Sequence, residues 1–311
     1  MEHLQFSKAV VRRLGRERRQ LGRELPYPPR LQSGLSSDTI AEKDGSMTKP
    51  ILYEHPLSPY AQKNKIALRE KGVAFDLVTP DGMGAGGGGG AWAEANPRLE
   101  VPALIDGDVS VFDSTIIQDY IEERWPSPPL LPVGAAARAR VRMIEEVMDT
   151  QYEAATWGMM ELLVFGRAKG SLGDTLMATA RTQIVGLNKW AEAQLGEAPW
   201  FNGASFGWGD IAVVPFVMGA AGFGSPPAPD SKLAGWLARC FARPSVAETA
   251  REAEAVAPMV AKMVPQMLAS GVFKREYRDH RLEWMLRSGG MQVVLDGLAD
   301  GTIRFSTEIS A

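Results

Sequence analysis

A serine followed by a proline, Ser58-Pro59, stands at the predicted start of a helix and is the first pair in the chain that suggests chemistry. Serine is a favoured N-cap residue, and proline is a favoured first helical residue. The first turn of a helix has backbone N–H groups without partners and carries the positive end of the helix dipole. A serine hydroxyl at this point can donate a further hydrogen bond to an anion. The alternative interpretation is that Ser58 only caps its helix.

A second pair, Asp113-Ser114, begins another predicted helix. The hydroxyl of Ser114 and the N–H groups of the first turn can together hold a carboxylate. Asp113 can pair with an ammonium group. Between the two helix starts, Val101-Pro102 leads into the predicted strand Ala103-Leu104-Ile105. The alternative for Asp113-Ser114 is that it only caps its helix. The alternative for Val101-Pro102 is that it forms an ordinary turn before the strand.

The elements that must position these residues follow an α/β order. Ile51 to Glu54 and Val73 to Val78 are predicted strands, and the helix that begins at Ser58 separates them and ends at Gly72. This makes a βαβ unit. Asp106-Gly107-Asp108 is typical of a hairpin turn between two more strands, and the Asp113 helix follows it. We assign residues 47–130 to this first domain.

Everything beyond the proline-rich linker at residues 126–132 is predicted to be helical. We expect an all-helical domain over 135–270 and a helical C-terminal tail over 271–311. Residues 1–46 differ in composition, with an arginine-rich stretch and then a Pro/Ser/Gly-containing stretch. An arm for targeting or for anionic surfaces is one interpretation. We favour a disordered extension, with Met47 as a natural start.

Composition excludes several classes of protein. The 311-residue chain has a formal net charge of -3, so nothing in its charge recommends nucleic acid as a partner. Its single cysteine, Cys240, cannot form an internal disulfide, which fits a reducing compartment and predicts a cytoplasmic protein. The three histidines are too scattered to suggest a metal site, and no apolar run is long enough to span a bilayer.

The ordered set of motifs resembles the cytosolic glutathione transferase family over about residues 50 to 256. Each motif is weak alone, and the set in this order is specific. The residues that carry the resemblance are Ser58-Pro59-Tyr60, Asn96-Pro97 with Val101-Pro102-Ala103-Leu104, Asp113-Ser114, Phe206 through Ile211, and Trp236 with Arg243-Pro244-Ser245-Val246.

The resemblance implies a thioredoxin-like domain followed by an all-α domain, a homodimer, and detoxification with glutathione as co-substrate. It implies that Ser58 activates the glutathione thiol, as in bacterial serine-type members. It also implies a cis bond before Pro102, so that the backbone of Val101 pairs with the cysteinyl unit. Ser114 would hold the γ-glutamyl carboxylate and Asp113 the ammonium group of the peptide. One departure is Glu100, which stands where many members carry lysine, and Arg98 can substitute for that lysine.

A second substrate, a small hydrophobic electrophile, is expected against apolar side chains near Ser58, with the tail around Trp284 as a lid. The candidates are Leu57, Tyr60, Trp157 and Met160. Glutathione-dependent ether cleavage or dehalogenation of an aromatic substrate is an alternative activity. A non-catalytic binding module that keeps the fold is the alternative of another class.

Overall fold

The computed structural model describes residues 49–81, 83, 90–271, 273, 275–276 and 279–304. The prediction of a disordered extension over 1–46 lies outside the described residues. The first described domain contains four short strands and three helices. In chain order they are β1 (Ile51–Tyr53), α1 (Pro59–Glu70), β2 (Asp76–Val78), α2 (Ala91–Ala95), β3 (Ala103–Asp106), β4 (Val109–Phe112) and α3 (Ser114–Arg124).

The strands form one mixed sheet in the order β2-β1-β3-β4. The central strand β1 runs parallel to β2 and antiparallel to β3, so that Leu52 is paired with Leu77 on one side and with Leu104 on the other. The hairpin β3-β4 is antiparallel and turns at Gly107, whose φ of 63° suits glycine. This is the predicted thioredoxin-like arrangement, and it is confirmed. The second strand is shorter than predicted and begins only at Asp76.

The rest of the chain is largely helical. The helices are α4 (Ala135–Val147), a π-helical turn (Met148–Tyr152), α5 (Glu153–Leu163), α6 (Gly170–Leu195), α7 (Trp208–Gly222), α8 (Lys232–Phe241), α9 (Pro244–Ala269), α10 (Asp279–Arg287) and α11 (Met291–Ala299). Two short strands, β5 (Arg275–Glu276) and β6 (Ile303–Arg304), pair in parallel within the tail. The tail is therefore not purely helical as predicted.

Helix α7 is the centre of the helical domain, and nearly all of its residues are buried. Its start is held by Asp210, whose carboxylate accepts hydrogen bonds from the N–H groups of Gly207 (3.0 Å) and Phe201 (2.9 Å) and from the Trp236 indole (2.8 Å). Burial raises the pKa of Asp210 to about 6. This carboxyl group therefore serves the fold by holding the start of α7.

Two helices differ from their predicted lengths. The single helix expected over 135–168 is interrupted by the π-helical turn, in which one extra residue enters the helical register. Conversely, the sequence predicts two separate amphipathic stretches near 246–255 and 257–270, and these form the one helix α9, which contains both Pro258 and Pro265. A proline removes one backbone hydrogen bond and does not have to end a helix. Most of α9 is partly or fully exposed, so water can bond the carbonyl groups that lose their partners.

The two domains are joined through α1, which packs against α7 and α9. The side chains of Lys63 and Lys65 in this helix and of its C-cap residue Lys71 are fully buried and reach carboxylates of other elements. Within the described residues, none of the helices has the length and apolar character needed to cross a membrane.

The tail packs on the helical domain. Trp284 and Met285 of α10 and Val293 and Val294 of α11 are buried, whereas Leu298 stays largely exposed. The ring of Trp284 lies over α5 so closely that a Cβ atom added at Gly158 would be 2.6 Å from it. The Trp284 indole N–H also donates to the side chain of Gln183 on α6.

Candidate functional site

The turn before α1 holds Ser58 at the N-cap of the helix. The Ser58 oxygen accepts a hydrogen bond from the N–H of Ala61 (3.3 Å), and Ser58 donates its own N–H to the carbonyl of His55 (2.8 Å). Burial and the charge of Lys65 lower the pKa of His55 to about 4, so its ring is neutral near pH 7. The neutral ring accepts the N–H of Leu57 at Nδ1 (3.2 Å), and the turn is thereby fixed on both sides of Leu57.

The loop before β3 contains a cis bond between Val101 and Pro102, as the resemblance implied. The carbonyl of Glu100 accepts hydrogen bonds from the buried amide of Asn96 (2.8 Å) and from the Trp92 indole (3.2 Å). Both donors come from α2 or its C-terminal end. The small helix α2 therefore braces the loop that presents Val101.

The start of α3 is held in an uncommon backbone conformation. Asp113 has a φ of 74° and a ψ of 128°, and its carboxylate accepts the N–H groups of Thr115 (3.0 Å) and Ile116 (3.4 Å). The adjoining Ser114 is buried, and its carbonyl accepts the amide of Asn64 from α1 (2.8 Å). Non-glycine residues in this part of backbone space concentrate at binding and catalytic sites.

These two loops, α1, the π-helical turn and the tail enclose a pocket of about 230 Å3. Five of the predicted residues line it: Tyr60, Val101, Pro102, Asp113 and Ser114. The other lining residues are Asn96, Arg98, Glu100, Phe112, Asp149, Thr150 and His280. Ser58 does not line it itself and stands at the N-cap of α1, two residues before Tyr60.

Three of the four predicted apolar pocket residues, Leu57, Trp157 and Met160, are not among the residues that line this pocket. Trp157 is buried, and the guanidinium of Arg281 lies 5.4 Å from its ring centroid. Met160 is partly buried and packs against the main hydrophobic core. The tail therefore covers the surface of α5 on which an apolar substrate was expected, because α10 brings its own apolar side chains to that surface.

Asp149 is a pocket residue that the sequence did not suggest. Its carboxylate shares the buried Nζ atom of Lys63, at 2.8 and 2.6 Å, with Glu145, at 2.9 Å. We call these three residues the lysine cluster. Burial, opposed by Lys63 and reinforced by Glu145, raises the pKa of Asp149 to about 7. The main-chain carbonyl of Asp149 also accepts the phenol of Tyr60 (2.7 Å).

His280, from the tail, is the second unexpected pocket residue. Its Nε2 lies 2.8 Å from the carboxylate of Glu153, which also binds the guanidinium of Arg281 at 2.7 and 3.2 Å. We call these three residues the glutamate cluster. Burial alone would raise the pKa of Glu153, but the charge of Arg281 and the hydrogen bonds from both partners outweigh burial and lower it to about 2.

The pocket is suited to an extended, peptide-like molecule that carries both charges. Val101 offers backbone groups, Asp113 a carboxylate, and Ser114 a hydroxyl at a helix N-terminus, while Arg98 supplies a cation. Among the described residues, no group of three or more histidine, cysteine or acidic side chains is arranged to hold a metal ion.

Comparison with known proteins gives consistent results. The family model for the N-terminal domain of glutathione S-transferase matches residues 52–129. Glutathione S-transferase U28 of Arabidopsis thaliana is 30% identical over 231 residues, which cover 70% of this chain and 95% of that protein.

Two solved structures share the fold over most of their length. A rice glutathione S-transferase in complex with glutathione has a TM-score of 0.57 at 26% identity, covering 70% of this chain and 97% of that one. A glutathione S-transferase of Rhodospirillum rubrum also has a TM-score of 0.57, at 25% identity, covering 64% of this chain and 91% of that one.

Proposed function

The chain belongs to the glutathione S-transferase family, and we propose that it uses Ser58 to activate the thiol of glutathione for attack on an electrophilic carbon. The observation that carries the proposal is the pocket that combines Val101, Pro102, Asp113 and Ser114 beside the first turn of α1. The bacterial serine type is part of this proposal.

The chemistry follows from the pKa of a thiol. A free thiol has a pKa near 8.5 and is mostly protonated at neutral pH, whereas the thiolate is the nucleophile. The hydrogen bond from Ala61 occupies a lone pair of the Ser58 oxygen and leaves its O–H to donate to a sulfur anion. The N–H groups and dipole of α1 act in the same direction. Each interaction favours the thiolate and lowers the pKa of the bound thiol.

The remaining residues hold the peptide. Val101 pairs with the cysteinyl unit, Ser114 holds the γ-glutamyl carboxylate, and Asp113 holds the ammonium group. At the glycine end, Glu100 and Arg98 both line the pocket. Only Arg98 can pair with a carboxylate. We therefore propose Arg98 as the partner of the glycine carboxylate in place of the lysine that many family members carry.

Mutation of Ser58 tests this mechanism. Ser58→Ala should still bind glutathione in calorimetry, because Val101, Asp113 and Ser114 hold the peptide. Turnover of an aryl halide should fall by about 100- to 1000-fold, the scale for removal of one preorganised donor to an anion. The absorbance titration of the bound thiolate should show its pKa rising toward the free value.

The matched control is Ser231→Ala. Ser231 caps α8 in the same way as Ser58 caps α1, with its oxygen accepting the N–H of Ala234 (3.1 Å). That variant should lose a helix cap and keep full turnover. If Ser58→Ala keeps both the rate and the low thiol pKa, another group activates the thiol, and Tyr60 is the next phenol to test.

The same assays separate the alternatives. Retention on a glutathione resin without turnover of aryl halides or aromatic ethers would favour a non-catalytic module. Release of a phenol or of halide from aromatic substrates would favour ether cleavage or dehalogenation. The homodimer stays a prediction from the family, and the cytoplasmic location stays a prediction from the single cysteine.

A further inference from the structure

The wall of the pocket that lies beyond the glutathione-binding loops comes from the helical domain and the tail. Its lining residues there are Asp149, Thr150 and His280, and all three are polar. The apolar side chains that the sequence suggested for this space, Trp157 and Met160, are absent from the lining because α10 lies along α5. A second substrate in this space meets hydrogen-bonding groups.

Several contacts fix α10 in this position. The buried Glu153 binds both Arg281 and His280, and the Arg281 guanidinium lies over the Trp157 ring. One turn further along α10, Trp284 occupies the space that the missing side chain of Gly158 leaves open. An ion pair, a cation–π contact and a shape-matched aromatic ring thus hold the helix. These contacts hold α10 in place as one wall of the pocket.

The same contacts orient His280. Its Nε2 atom is bound to Glu153, which restricts rotation of the ring, and the residue lines the pocket with Nδ1 as its second ring nitrogen. A polar side chain left without a partner when a ligand displaces water costs free energy. A substrate hydroxyl or a similar group removes that cost, whereas a purely apolar substrate does not.

We propose that His280 is a specificity-determining residue, positioned by Glu153 and Arg281, that favours electrophiles carrying a hydrogen-bonding group near the reactive carbon. This inference rests on the proposed function and refines its substrate class. It replaces the apolar second-substrate pocket with a polar one. Glu153 and Arg281 act through His280 and are positioning residues.

The test compares two electrophiles that differ by one hydroxyl, 4-hydroxynon-2-enal and non-2-enal, with glutathione as nucleophile. The measured quantity is the ratio of their kcat/KM values in each variant. His280→Ala should lower this ratio about three- to tenfold relative to the wild type, the scale of one hydrogen bond. The loss should fall mainly in KM for the hydroxylated substrate. His280→Gln, which keeps hydrogen-bonding atoms, should recover part of the ratio.

Two further variants test whether the position of α10, and not any change on that helix, controls the effect of His280. Gly158→Ala places a methyl group against the Trp284 ring and should displace α10, lowering the ratio as His280→Ala does. Arg287→Ala alters an exposed residue of α10 that pairs with Glu283, and it should leave the ratio unchanged. Circular dichroism checks that Gly158→Ala folds, and the two His280 variants decide the matter if it does not.

The inference is overturned if His280→Ala keeps the wild-type ratio, or if Gly158→Ala raises kcat/KM for both aldehydes equally. The second result would make α10 an inhibitory plug. Glutathione affinity, measured by calorimetry, should be the same in the wild type and His280→Ala. A wild-type protein that turns over an aryl halide but neither aldehyde would overturn this inference and leave the proposed function standing. Turnover of neither an aryl halide nor an aldehyde would remove the proposed function.

Discussion

The lysine cluster and the glutamate cluster use carboxylates from successive turns of one helical stretch and have opposite charge balance. In the first, Glu145 and Asp149 share the single cation Lys63. In the second, the single carboxylate of Glu153 serves Arg281 and His280. Asp149 lies within the π-helical turn Met148–Tyr152, and Glu153 is the first residue after that turn. Both clusters contribute a residue to the pocket wall, Asp149 from the first and His280 from the second.

The difference shows how the partners of a carboxyl group act against the effect of burial on its pKa. Burial, reinforced by the charge of Glu145, outweighs the cation Lys63 and raises the pKa of Asp149 to about 7. Glu153 has a surplus of donors, and its pKa falls to about 2. The two clusters also join different parts. The lysine cluster connects α1 to the helical domain, and the glutamate cluster fastens the tail.

The largest effect is expected from breaking the lysine cluster at its centre. Lys63→Met leaves two carboxylates facing each other in a buried site. Removal of one partner from a buried ion pair costs about 3–5 kcal/mol. Urea unfolding should show that the free energy of unfolding falls by this amount. The hydrogen bonds from Tyr60 to Asp149 and from the Thr115 hydroxyl to Glu145 should loosen as well. Lys49→Met is the control, since Lys49 forms only a distant contact with Asp76 (3.9 Å) and its side chain is 60% exposed.

A loss below about 1 kcal/mol, as exposed pairs show, would mean that the two carboxylates take up protons at no cost to the fold.

A smaller effect is expected from Glu153→Gln, which breaks the glutamate cluster. The variant leaves the Arg281 guanidinium buried beside an amide, at a cost of about 3 kcal/mol. The loss should be local, because Glu153 fastens the tail and does not join the domains. Hydrogen exchange should show faster opening of residues 279–287 with little change in the β-sheet. Glu283→Gln on the exposed face of α10 is the control, and equal opening of sheet and tail would contradict the assignment.

The smallest expected effect is on how the free energy of unfolding depends on pH, and it comes from Asp149. Asp149 has a folded-state pKa raised from 3.8 to about 7, so its contribution to stability is lost as pH rises through this range. Asp149→Asn removes the group. The variant should therefore gain stability relative to the wild type, by about 1–3 kcal/mol, when unfolding is measured at pH 8 instead of pH 5.

Glu153 provides the opposite control. Its pKa is lowered from 4.5 to about 2, so its contribution is complete above about pH 4.5 and is lost only as pH falls below that. The part of the cost of Glu153→Gln that comes from the titration of Glu153 itself should thus be the same at pH 5 and pH 8. A pH-independent difference for Asp149→Asn would show that Lys63 keeps Asp149 ionised throughout.

The sequence by itself determined the order of strands and helices, the helix start at Ser58, the loop at Val101-Pro102 and the cap at Asp113. These features depend on residues within a few positions of one another. Caps, turns and strand alternation are local, so their residue types predict them. The same holds for Asp210, which caps the start of α7 three residues after Gly207.

Only the tertiary structure decided the side of the pocket that Asp149, Thr150 and His280 form. Lys63 and Glu145 lie 82 positions apart, and Glu153 and Arg281 lie 128 apart. No local pattern signals that such charges meet, because their pairing depends on how whole helices pack. The sequence predicted Trp157 as a substrate contact because it is a large apolar side chain in a helix expected near Ser58. It became part of the interior because α10 folds back onto α5, and that packing, by burying apolar surface, brought His280 into the pocket.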